Sequence, residues 1–454
     1  MNTKKLTIHE LTNGIKTLNS ISIPDRVKNF AKKLIVDISG VTLAGSNTDS
    51  SNIFYDVAKE IYSSGKCKII GRDKTINAVG AAFINGTSAH SLDFDDNCYA
   101  GVVHGSAVVF PAVLSYAQHK NLSGDALLKS FIIGLEIEFA VAKALSNSIY
   151  DKGWWTTSML GSIGSTAGVA SLAGLRIKEI DNALSIAISG VGAIRAVRGT
   201  NSKHYYCGKS AENGIIATEM ALKGATGPTD VFEDKNGLIS VLNENNFEHK
   251  HIKNIGKKFS ILDPGVDIKK YPVCYASHSA VDGVNWILNS ENVKIENISK
   301  IICIVPPIIE SNLTYNNPKS PKEAQFSLQY AVAIFIKFGS IKLEHLDKKY
   351  ILDPEINKLM NKIEMKIGSI SDYIEFSKEA CPEWSNIKVF TSNGKYFEKF
   401  IGYPIGSAQS PLSDKQIFKK FKSCVQFSKT KLNADAIYER LMNIQNVKDC
   451  NDLF

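Results

Sequence analysis

The sequence predicts a mainly α protein: a large all-helical domain plus a smaller α+β domain placed before the chain's end. Three observations carry this reading. Through the first 260 residues, the segments Asp25 to Leu43, Ser106 to His119, Gly124 to Asn147, Met159 to Leu172, Ile180 to Ile194 and Ser210 to Leu222 are rich in Ala, Ile, Leu and Val. They place small residues where helices must approach closely. Next, Ile298 to Val305 (ISKIICIV) is short, β-branched and ended by Pro306 and Pro307, and Ile387 to Phe390 and Tyr396 to Ile401 read as further strands. Last, from Ser413 onward the pattern DKQIFKKFKSCV returns to amphipathic helix. The expected division is 1–266 for the first part of the helical domain, 267–402 for the α+β domain and 403–454 for the return.

A chain of 454 residues, 44% hydrophobic, buries a sizeable core. No apolar stretch approaches the roughly 20 residues of a membrane span, and MNTKKLTIHELTNG lacks an apolar signal core. The expectation is a cytoplasmic protein with no membrane partner. Eight cysteines stand without a CxxC pair or zinc-like spacing, so reduced thiols and no metal are expected. The net charge of +8 owes much to C-terminal lysines such as Lys415, Lys419, Lys420, Lys422, Lys429 and Lys431, which fit a solvated helix face. No nucleic-acid motif accompanies them, and a mildly positive field suits an anionic metabolite.

The segment Ala89 to Val113, AHSLDFDDNCYAGVVHGSAVVFPAV, sets three carboxylates and two histidines into an apolar run. Burying an unpaired carboxylate costs several kcal/mol, so Asp93, Asp95 and Asp96 must be solvated, paired or held in a site. On a helix, His90, Asp93 and Asn97 share one face and His104 lies past the Ala100-Gly101 break. An exposed helix end with salt-bridged aspartates and an acid–base site both fit.

Three more clusters carry polar groups. In Lys152 to Gly164, KGWWTTSMLGSIG, Thr157 or Ser158 is placed to cap a helix, and capping alone accounts for the hydroxyls. In Gly199 to Gly214, GTNSKHYYCGKSAENG, a helix starts at Ser210. Lys203 or Lys209 is either desolvated among the tyrosines, a carboxylate clamp, or surface charge, with Lys203 favoured by its aromatic neighbours. In Asp267 to Asp282, DIKKYPVCYASHSAVD, Lys269 and Lys270 precede Tyr271-Pro272, Ser277 starts a helix, and His278 and Asp282 are spaced to pair, in a structural or a catalytic role.

In order, HSLDFDD, HGSAVVFPAVL, GWWTTSMLGSIG, KHYYCGKSAENGIIATEMALKGATGP, KKYPVCYASHSAVDG, EAQFSLQYAVA and SPLS resemble the MmgE/PrpD family from about Leu6 to Lys422. The resemblance implies an all-helical domain with an α+β lid, a homodimer without metal or organic cofactor, and a site between the domains. It also implies proton transfer at a carbon next to a carboxylate. His104 is then the main proton-transfer residue, tuned by Asp93, with Lys203 and Lys269 holding substrate carboxylates. Lys270, Tyr271, His278, Trp155 and Thr157 complete the substrate-binding set. The activity implied first is that of a 2-methylcitrate dehydratase-like lyase. The alternative is an iminodisuccinate epimerase-like isomerase, ahead of cis-aconitate decarboxylation or a non-catalytic binding role. Two departures bear on this choice: Trp155 stands where several dehydratase and decarboxylase members carry a histidine, and Cys274 where the decarboxylases tend to carry one.

Overall fold

The computed structural model describes residues 6–379 and 381–454; Met1–Lys5, part of the segment read as lacking a signal core, lie outside the described residues. The chain forms two compact units, Met1–Asp267 with Asp414–Phe454, and Ile268–Ser413. The fold is mainly α, with a small mixed sheet in the second unit.

The first unit is built from the helices Thr7–Ser20, Asp25–Gly45, Asp49–Ile61, Ala78–His90, Gly105–Lys120, Gly124–Leu145, Thr156–Leu172, Ile177–Ser189 and Asn201–Leu222, joined late in the chain by Asp414–Ser428 and Ala434–Met442. Two of these, Ala78–His90 and Thr156–Leu172, are buried nearly all round. Their sequences, AVGAAFINGTSAH and TTSMLGSIGSTAGVASL, explain how: small side chains let neighbours close in on every face. At the crossing of Ala78–His90 with Asn201–Leu222, a Cβ on Gly208 would lie 2.6 Å from the Phe83 carbonyl oxygen, and one on Gly86 would lie 3.0 Å from Gly208 Cα. That contact brings the end of one helix, His90, toward the start of the other, Lys203 and His204.

Several boundaries differ from the sequence reading. The helix expected to run to Ile194 stops at Ser189, where Gly190 and Gly192 release the chain and Ala193 takes a φ of 119°. The helix expected to start at Ser210 starts at Asn201, so Lys203 sits in its first turn rather than in a loop. The Asp93 segment is not helical at all, as described below.

In the second unit the sheet order is Ile363–Ile367, Ile298–Val305, Ser385–Thr391, Tyr396–Ile401. Ile298–Val305 pairs in parallel with Ile363–Ile367, a strand the sequence reading missed, and antiparallel with Ser385–Thr391. Helix His278–Ser290 lies close on this sheet: a Cβ on Gly283 would meet Ile387 Cγ1 at 2.5 Å. Tyr330, Val332, Ile301, Val305 and Ile387 are part of the unit's buried core. Residues 403–413, read as the beginning of the C-terminal return, belong to this second unit. Strand periodicity ends at Ile401, but the backbone stays tied in: the Ile268 N–H donates to the Gly406 carbonyl at 2.8 Å and the Ile405 N–H to Asp282 Oδ2 at 2.7 Å. Among the described residues, no helix is long and apolar enough to cross a membrane.

Candidate active site

Helix Ala78–His90 ends at His90, and the chain turns sharply instead of continuing. The Asp93 N–H donates to the His90 carbonyl at 3.2 Å, and Asp93 itself takes a φ of 50° in the left-handed region. Non-glycine residues are held there only when the surroundings over-determine them. Cys98 and Val103 then exchange backbone hydrogen bonds of 2.9 and 3.0 Å, closing a tight hairpin through Gly101, φ 82°, and Val102, φ 55°. The expected helical face of His90, Asp93 and Asn97 therefore does not exist. The turn points these side chains by a different geometry.

The loop is fastened from three sides. The Thr156 hydroxyl donates to the Val102 carbonyl at 2.7 Å, and Thr157 Oγ1 accepts the His104 N–H at 3.2 Å. These threonines hold the loop rather than cap their own helix, whose N-cap is Trp155 with no side-chain cap bond. Asp96 accepts from the Ser106 hydroxyl and from its N–H, anchoring the loop to the next helix. From the late helix Asp414–Ser428, buried Lys420 donates to the Phe94 carbonyl at 2.9 Å and pairs with Asp37 at 2.7 Å.

At the centre stand two imidazoles sharing one carboxylate. His90 Nδ1 lies 2.7 Å from Asp95 Oδ2, and His104 Nδ1 lies 3.4 Å from the same oxygen and 2.6 Å from the Asp96 carbonyl. A carbonyl only accepts, so His104 Nδ1 carries the hydrogen and Nε2 holds the lone pair of the neutral ring. The ring centroids of His90 and His104 are 4.7 Å apart, and Trp155 packs on both, at 5.8 and 6.0 Å. Lys203 pairs with Asp93 at 2.5 Å and sets its ammonium 5.1 Å from the Trp155 ring. Asp93, expected to tune His104, pairs with Lys203, and Asp95 is a second carboxylate beside His104. His204 faces His90 edge-on at 6.1 Å and reaches Ser50 Oγ at 3.1 Å. Lys209, the other lysine of this segment, pairs with Glu212.

Among the described residues, the Trp155 indole N–H and Asp95 Oδ1 are buried polar groups with no hydrogen-bond partner. Below the loop, Glu138 is wholly buried with neither oxygen bonded. Burial, reinforced by nearby Asp96, drives its carboxyl well above the usual range. Asp96 is pushed up to about 7, chiefly by burial; the Ser106 hydroxyl and N–H pull the other way, and Asp95 and Asp37 add to the rise.

The second unit holds the other expected residues. Lys269 is buried. Asp282 accepts from the Tyr271 phenol at 2.9 Å and from Lys270 at 3.1 Å, and the Lys270 ammonium stands 4.8 Å from the Tyr271 ring. Burial drives the Tyr271 phenol upward, with the Asp282 charge adding to it. The expected His278–Asp282 pair does not form. His278 Nε2 instead faces the Val273 carbonyl at 3.3 Å, and its ring packs edge-on against Tyr271 at 5.1 Å.

Among the described residues, one set of three potential metal-ligating side chains lies close together: His90, Asp95 and His104, with ligand atoms within 4.8 Å. Both Nδ1 atoms face oxygens at hydrogen-bonding distance, Asp95 Oδ2 for His90 and the Asp96 carbonyl for His104.

Residues 9–250 match the MmgE/PrpD N-terminal domain and residues 271–444 the MmgE/PrpD C-terminal domain. The chain belongs to the MmgE/PrpD family. Its relatives in the family include the cis-aconitate decarboxylase of Homo sapiens, 25% identical over 95% of this chain and 90% of that protein. The cis-aconitate decarboxylase of Aspergillus terreus is 21% identical over 100% and 96%. The 2-methylcitrate dehydratase of Escherichia coli strain K12 is 25% identical over 75% and 74%. These family members are named as lyases of small carboxylates, so this chain is similar to enzymes of that kind.

His90 and Asp95 escaped the sequence reading as site residues. Five apart, they fit neither helical nor strand spacing, and only the left-handed turn at Asp93 brings them together.

Proposed function

We propose that the protein is a lyase of a small di- or tricarboxylate, acting by proton transfer at a carbon next to a carboxylate, in the manner of a 2-methylcitrate dehydratase. The observation that carries this is His104, whose Nδ1–H is committed to the Asp96 carbonyl so that Nε2 is the basic nitrogen, in a buried setting with Lys203 and Trp155. A carbon beside a carboxylate is a weak acid, so removing its proton needs an aligned base and donors for the charge that develops. His104 Nε2 takes the proton, the C–H electrons form the new double bond as the neighbouring C–O bond breaks, and the imidazolium returns that proton to the departing hydroxyl, which leaves as water. The Lys203 ammonium and the Trp155 N–H, a buried donor without a partner, receive substrate oxygens. The role of Lys269, Lys270, Tyr271 and His278 is to hold further carboxylate groups, with Thr157 acting through the His104 backbone. The proposed enzyme works as a homodimer without metal or organic cofactor.

A second reading, decarboxylation, draws on the fuller coverage of this chain by the relatives named cis-aconitate decarboxylase. Proton NMR of the purified protein in heavy water separates the outcomes, with 2-methylcitrate, citrate, cis-aconitate and iminodisuccinate as substrates. The expected result is water loss with a new alkene signal, lowered about 10²–10⁴-fold in His104→Ala. Carbon dioxide release from cis-aconitate replaces dehydration with decarboxylation, and deuterium wash-in without an alkene points to an epimerase. Unchanged turnover in His104→Ala overturns the mechanism.

A further inference from the structure

The carboxylate of Asp95 serves two rings with one oxygen, and this gives His90 a part in the site. His90 is wholly buried, at the last residue of its helix, with Nδ1 2.7 Å from Asp95 Oδ2; His104 Nδ1 is 3.4 Å from the same atom. A hydrogen bond from His90 to that oxygen draws on charge that would otherwise act on His104. We infer that His90 is a positioning residue: by donating Nδ1–H to Asp95 it limits how strongly Asp95 stabilises a protonated His104, keeping the His104 ring neutral with Nε2 as its base. The inference rests on the reading of His104 as the proton-transfer residue.

Other charged or titratable groups face this pair. Trp155 packs against both rings, and the Lys203 ammonium, paired with Asp93, stands 5.1 Å from the indole centroid. His204 meets His90 edge-on, Asp96 offers its carbonyl to His104, and Glu138 lies beneath, near Asp96.

The test uses histidine-labelled full-length protein, following imidazole nitrogen signals by NMR across pH, with no substrate present. Three variants are compared with wild type. His90→Phe keeps a ring and removes the donor, His90→Gln removes the donor by misplacing its amide, and His90→Asn keeps an N–H close to the Nδ1 position. The expected result is that Phe and Gln raise the His104 midpoint by about one pH unit, a tenfold change in proton affinity, and that Asn restores it. If the Phe variant fails to fold, Gln supplies the same comparison. An unmoved His104 midpoint in the donor-less variants, or an equal shift in all three, overturns the role of His90. Turnover that survives His104→Ala would instead remove the function assigned to His104 and leave the NMR result standing.

Discussion

Trp155 is the residue whose chemistry is most open to a direct test, because a buried indole N–H without a partner is a liability in a folded protein and an asset in a binding site. Replacing it removes the liability and the asset together. Trp155→Phe is expected to leave the melting temperature unchanged or slightly higher while raising KM for the carboxylate substrate about tenfold, the cost of one hydrogen bond to a charged group. Calorimetry beside steady-state kinetics checks both halves. A variant that loses stability with KM unchanged makes Trp155 a packing residue only. At this scale the sequence was legible where a residue stood out from its surroundings: His104 and Asp93 interrupt an apolar run, Lys203 precedes two tyrosines, Trp155 leads into a small-residue helix, and all meet in one place. It was not legible for Asp95 and His90, whose relation depends on a backbone φ that no side-chain pattern announces.

Helices and strands show the same division. Segments rich in Ala and Ile gave helices near their expected bounds, as in Asp25–Gly45 and Thr156–Leu172. The strand Ile363–Ile367 was missed because IEMKI is short and charged, and its strand character comes from its pairing with Ile298–Val305. The start of Asn201–Leu222 was missed because its first turns, NSKHYYCG, are polar and aromatic, and packing on Ala78–His90 makes them helical. Gly208→Ala tests that packing. The new methyl would stand 2.6 Å from both the Phe83 carbonyl oxygen and Thr87 Cγ2, and the expected loss is about 1–3 kcal/mol, read by denaturant unfolding. A neutral result would mean the two helices can slide apart without cost. A brace between elements is tested by Lys420→Ala, which breaks the buried ion pair with Asp37 and releases the Phe94 carbonyl. The expected cost is about 3–5 kcal/mol. Lys420→Ala melting like wild type would show that the late helix does not hold the loop.

For the molecule as a whole, the buried carboxyls set a pH dependence. Asp96 and Glu136 are each raised to about 7 by burial, and Glu138 is raised well above its usual range. In the window from about pH 4 to about 7 the folded chain holds protons at Asp96 and Glu136 that the unfolded chain has released. Stability therefore falls as pH rises through that window and levels off above it, by an amount on the order of a few kcal/mol per group. Asp96→Asn removes one such group, so its unfolding midpoint is expected to gain on wild type as pH rises from 5 to 8. A constant difference across that range would show that Asp96 is ionised throughout. The division into helical and α+β parts was readable from the change of periodicity near Ile298, and the family from motifs spread over nearly the whole chain. The attachment of residues 403–413 was not, since it rests on backbone hydrogen bonds beyond the last strand.

The Lys420 brace also has a bearing on biosynthesis. Phe94 and Lys420 are separated by 326 positions, and at translation speeds of about 5–20 residues per second the interval between their appearances is roughly 15–65 seconds. For that time a nascent chain holds the Asp93 turn without the lysine that donates to the Phe94 carbonyl and pairs with Asp37. The Asp93 loop is thus among the last parts of its unit to gain its full bracing, and a ribosome that stalls before position 420 releases a product that has most of its helices and a loop without this brace.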